Sequence, residues 1–87
     1  MTVTAQEVLQ RRVLAQYART QRIDGVLVTV NCTEVTTKNG GVRYEVQIRG
    51  DSQVGIYDVP RREFAVLGQR IDQMILGFMA TYDLRQQ

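Results

Sequence analysis

The chain has 87 residues, 44% hydrophobic and 23% charged, with a net charge of +2; this is the make-up of one small globular domain with a modest core, and it argues against disorder. With no histidine and one cysteine, Cys32, neither a disulfide framework nor a metal site is expected, and no cofactor. The lack of a long apolar run, and of a basic-then-apolar leader at Met1, predicts a cytoplasmic protein without membrane association.

In chain order, Thr4 and Glu7 form a T-x-x-E capping box, with Val3 and Val8 at the flanking apolar positions of a hydrophobic staple. No Pro or Gly follows until Asp24-Gly25, whose glycine reads as a helix stop. A helix is therefore predicted over about residues 5–22. On it Arg11, Arg12, Arg19 and Arg22 would share a sector of about 100°, opposite Leu9, Val13, Leu14 and Tyr17. From Met1 to Ile23 these four arginines face one acid, Glu7, a local charge of +3.

The next segment alternates. Val26, Val28, Val30 and Cys32 share one parity; beyond "KNGG", Val42, Tyr44, Val46 and Ile48 alternate with Arg43, Glu45, Gln47 and Arg49. A period of two predicts an antiparallel hairpin with one buried and one wet face. A two-residue Asn39-Gly40 turn would mix the faces by setting Val30 against Arg49. A three-residue Lys38-Asn39-Gly40 loop with left-handed Gly40 instead sets Val30 by Ile48 and Cys32 by Val46. "GDSQ" gives a second tight turn and Val54–Val59 a short third strand. Arg49-Gly50-Asp51 also spells a cell-adhesion tripeptide, but its position at a strand end accounts for it locally.

Pro60 fits the first turn of a final helix over about 60–80. Phe64, Leu67, Ile71, Met74 and Phe78 recur at spacings of three and four along it, and residues 81–87 are expected to fray. Arg61 and Arg62 occupy its start, where the helix dipole favours acids, with Asp58 and Glu63 near to offset them. Phe78, Met79, Tyr82 and Leu84 exceed what a small core needs and are candidates for a homodimer interface.

These elements predict a single-domain α+β two-layer sandwich of α-β-β-β-α order, a three-stranded antiparallel meander with two helices packed on one face. Catalysis is not expected: the acids are scattered, no phosphate-cradling loop is present, and Cys32 falls on the apolar parity. The wet face would show Thr29, Asn31, Thr33, Arg43, Glu45, Gln47, Arg49 and Tyr57. The expected function is a non-enzymatic protein-interaction module, an adaptor or inhibitor, which would present the arginine-bearing helix or the polar sheet face to an acidic partner. Its small size would suit a phage or mobile-element accessory protein. The order of elements is similar to that of the double-stranded-RNA-binding domain family at topology level. In that family the second helix opens with lysines that contact phosphates; "RREFAVLGQR" stands there instead, and only Arg61 and Arg62 match. The resemblance implies the alternative, nucleic-acid binding through Arg11, Arg12, Arg19 and Arg22 together with Arg61 and Arg62.

Overall fold

The structure, a computed structural model, describes the backbone of residues 7–86 and the side chains of residues 7–81. Its decisive local feature is Asp24-Gly25, where both residues take left-handed φ angles of 50° and 81°. Two successive left-handed residues form the tight turn that Asp-Gly favours between antiparallel strands. The turn joins β2 (Arg19–Ile23) to β3 (Val26–Thr37), with Ile23 directly opposite Val26. Upstream, β1 (Val8–Val13) pairs with the far half of the same strand, Val13 opposite Thr33. Residues 8–23 thus form one interrupted edge along β3. At the interruption, residues 14–18 stand against Asn31 and Cys32 alone. Ala15–Tyr17 make a 3-10 turn there, and the Leu14 N–H donates to the Cys32 carbonyl at 2.9 Å while its side chain enters the core.

This corrects the helix expected over residues 5–22, and with it the α-β-β-β-α order and the second helix on the sheet. Among the described residues the fold is mostly antiparallel sheet, five strands, with a single C-terminal α-helix. Two physical reasons decide it. The long β3 would otherwise leave a bare row of N–H and C=O groups, which β1 and β2 satisfy. Moreover, Leu9 and Val13, apolar on the helical reading, are 63% and 70% exposed, so the apparent stripe is not a core stripe. Thr4 of the capping box lies outside the described residues.

The β3–β4 hairpin follows the parity argument. Gly40 is left-handed at φ 84°, Val30 faces Ile48, and Cys32 faces Val46. The Gly40 N–H donates to the Thr37 carbonyl at 3.0 Å, and the Thr37 N–H to the Gly41 carbonyl at 2.9 Å. From β4 (Val42–Gly50) the chain turns through Asp51-Ser52 into β5 (Gln53–Pro60). The sheet order is therefore β1/β2, β3, β4, β5, antiparallel throughout.

After Pro60, Arg61–Val66 form a 3-10 helix and α1 (Leu67–Gln86) follows, so the regular helix starts later than Pro60 suggests. Leu67, Ile71, Ile75, Phe78 and Met79 are buried in one cluster with Val26, Val28, Val30, Cys32, Val46, Ile48 and Val59. Gly50 lets Phe78 come close: a Cβ there would lie 3.0 Å from Phe78 Cε1. The molecule measures 45 × 30 × 18 Å, with a radius of gyration of 14.6 Å, above the roughly 12 Å of a compact chain this long. A single helix on one side of a broad sheet explains the thin third axis. Among the described residues no helix is long and apolar enough to cross a membrane.

Candidate functional site

Alternation along each strand gives the sheet two unlike faces. The helix side carries the core. The other side is open, and among the described residues no element packs against it. The registers place Arg11 and Val13 of β1, Thr20 and Arg22 of β2, and Thr29, Asn31, Thr33 and Val35 of β3 on the open face. Arg43, Glu45, Gln47 and Arg49 of β4 join them, with Val54, Ile56 and Asp58 of β5.

One end of this face is an ion-pair network. Arg11 Nη1 reaches across β3 to Glu45 Oε2 at 3.1 Å, and Arg43 Nη2 meets the same oxygen at 3.2 Å. Arg43 Nε lies 3.9 Å from Asp58 Oδ1. These side chains roof Val35, which is fully buried although it lies on the open side. Arg43 Nη1 is buried and has no hydrogen-bond partner among the described residues. The other end is less tied. Arg49 is exposed and makes no ion pair among the described residues, beside Thr29, Asn31 and Gln47. Leu27, Val54 and Ile56 leave 49%, 49% and 65% of their surfaces open at the margin. Across its strand positions four arginines face Glu45 and Asp58, a net positive surface.

The predicted arginine clusters do not merge. Arg11 and Arg22 share the open face, but their β3 partners are Val35 and Leu27, about 26 Å apart along the strand. Arg22 Nη1 lies 3.4 Å from the Gly25 carbonyl. Arg12 and Arg19 point to the helix side, paired with Glu34 at 3.2 Å and Asp72 at 2.7 Å. Arg61 and Arg62 are exposed in the 3-10 helix, and Glu63 turns from them to accept from Arg70 Nε at 2.6 Å. The two-residue turn at Asp51-Ser52 sets Tyr57 opposite Val46 on the helix side, which corrects its expected place on the wet face. Phe78 and Met79 are core residues at 5% and 6% exposure. The side chains of Tyr82 and Leu84 lie outside those described.

Val54, Ile56 and Asp58 were absent from the sequence-derived face, although their period-two spacing is its signal. Arg11 could not be placed there while its segment was read as helical.

Elsewhere, burial pushes the Cys32 thiol up, which makes it a poor nucleophile. Burial also raises the Tyr44 phenol, with Glu34 adding to the effect and Arg61 opposing it. Phe64 packs on Tyr44 at 5.1 Å and edge-on to Tyr17 at 6.3 Å. An open groove of about 430 Å³ runs beside α1, lined by Tyr57, Arg70, Gln73, Met74, Gly77 and Thr81, without a carboxylate. Among the described residues no three His, Cys, Asp or Glu side chains gather as metal ligands. No family model, curated protein or solved structure matches the chain.

Proposed function

We propose that the chain is a small non-catalytic interaction module, of adaptor or inhibitor type, that holds an acidic protein partner on the open face of its sheet. The observation that carries this reading is a four-row sheet with nothing packed on one side among the described residues and an arginine excess there. Half-exposed Leu27, Val54 and Ile56 at its margin supply the apolar contact that a protein interface adds to charge. The same face carries no aromatic side chain at its strand positions, whereas single-stranded nucleic acid binding calls for stacking platforms. The buried free thiol of Cys32 suits a reducing, cytoplasmic setting.

The test is capture from the native host with the immobilised chain. Asn31→Glu/Gln47→Glu, which places two acids at the centre of the face, should lose the partner. Leu76→Asp, on the far side of α1 at a 72% exposed position, should retain it. The reverse pattern would overturn the proposal. So would salt-sensitive shifts of DNA or RNA in gels, the mark of phosphate binding.

A further inference from the structure

The two edges of the sheet are treated differently. The β1/β2 edge is broken by a register shift between Val8 and Gln10 and by the 3-10 turn at Ala15–Tyr17, and it carries Arg11, Arg12, Arg19 and Arg22. Such interruptions and charges protect an edge from pairing with another chain. β5 has no such break, and its register with β4 is continuous from Gln53 to Pro60.

The hairpin fixes which groups β5 leaves open. Gly50 and Gln53 close the two-residue turn, so they form a hydrogen-bonded pair, and by alternation Gly55, Tyr57 and Val59 also bond to β4. The N–H and C=O groups of Val54, Ile56 and Asp58 therefore point outward. Pro60, next in that series, has no N–H and ends it.

We infer that two copies of the chain join along β5, antiparallel, with Ile56 facing Ile56 of the second copy across a two-fold axis. Three pairs result, Ile56 with Ile56 and Val54 with Asp58 twice, each exchanging two backbone hydrogen bonds. Two features make the edge self-complementary. Ile56, 65% exposed in one copy, gains an apolar cross-strand partner. On the helix side, each Tyr57 lies over Gly55 of its own strand, where a Cβ would meet the Tyr57 hydroxyl at 2.8 Å. On the open face, Arg49 lies opposite Val54, so the second copy's Asp58 stands one strand beyond it. Arg11 already spans that reach over β3 to meet Glu45 at 3.1 Å. Arg49 has no ion pair among the described residues, and the Asp58 side chain is 64% exposed. The two-fold makes both pairs at once. The open faces of the two copies then continue as one sheet.

Sedimentation equilibrium of the chain alone should show a mass rising with concentration from 9.9 kDa to twice that. Hydrogen exchange at the Val54, Ile56 and Asp58 amides should slow over the same range. Ile56→Lys, which sets two like charges at the axis, should raise the dissociation constant roughly tenfold or more. Arg49→Asp and Asp58→Arg should each weaken the dimer, and the double swap should restore it. Circular dichroism confirms that each variant is folded, and exchange in the unmodified chain decides the question without any variant. A 9.9 kDa species at every concentration, exchange at β5 independent of concentration, or a dimer indifferent to Ile56→Lys would each overturn the inference. None of these measurements depends on partner capture by the open face.

Discussion

The backbone at Asp24 and Gly25, left-handed at both residues, makes strand of a segment whose side chains also suit a helix. A Cβ at Gly25 would meet nothing within 4 Å, so Gly25→Ala tests the backbone alone. It should destabilise by about 1 kcal/mol, read from urea unfolding, because a left-handed angle is costly with any side chain. Glu45 carries a different load. It accepts from Arg11 and Arg43 while Arg43 Nη1 is already buried and, among the described residues, unpaired. Glu45→Ala should therefore cost about 1–2 kcal/mol, more than an ordinary surface pair, since it strips a half-buried guanidinium of its nearest acceptor. Alkaline pH is a third test. The Cys32 thiol lies above its ordinary 9.0 and the Tyr44 phenol above 10.0 because burial disfavours both anions. The unfolded chain releases these protons first, so stability is intact below the ordinary values and falls as pH climbs through them toward the folded ones. Tyr44→Phe should flatten the part of that fall above pH 10.0, measured as urea midpoints across a pH series.

Among the elements, the β3–β4 hairpin was legible down to its register. Barring a bulge, the three-residue loop and not the two-residue one keeps Val26, Val28 and Val30 on the side of Val46 and Ile48, and the structure has that loop without a bulge. Part of the α1 core stripe was legible too, at Leu67, Ile71 and Phe78. Residues 8–23 were not, because Val8, Leu9, Val13, Leu14 and Tyr17 do not alternate as strand residues with a core face would, and Asp-Gly serves helix ends and hairpins alike. What settles such a segment is the need of β3 for an edge partner, a long-range demand that local pattern does not contain. The candidate site was half legible for the same reason: Arg43, Glu45, Gln47 and Arg49 follow from alternation, but Arg11 joins them only once its segment is a strand. Phe78 shows what the helix contributes. It is 5% exposed and packed over Gly50 in the core cluster, and Phe78→Ala should cost about 3–5 kcal/mol. A lowered urea midpoint with weakened amide protection across α1 is the expected reading.

At the scale of the whole molecule, one layer of helix covers one face of the sheet and nothing described covers the other. The arginines therefore fall into groups set by face and edge rather than into the single basic surface that helical spacing suggests. Arg12 and Arg19 are spent on Glu34 and Asp72 beside the helix, while Arg49 stays available on the open side. The centre of the open face serves a partner and the β5 edge a second copy, and the two surfaces meet at Val54 and Ile56.

The chain path through the sheet also has a kinetic consequence. Each of the later pairings joins strands that are neighbours in sequence, through Asp24-Gly25, Lys38-Asn39-Gly40 and Asp51-Ser52. Closing such short loops costs little entropy, so hairpins can zip one onto the next before any distant segment is needed. The α-helix comes last in the chain and has only to settle on a surface already assembled. A chain stopped at Val66 should thus still form strands, yet expose Val28, Val30, Val46 and Ile48 together and associate through them. Dye binding and light scattering on that truncated chain would show whether the sheet truly precedes its cover.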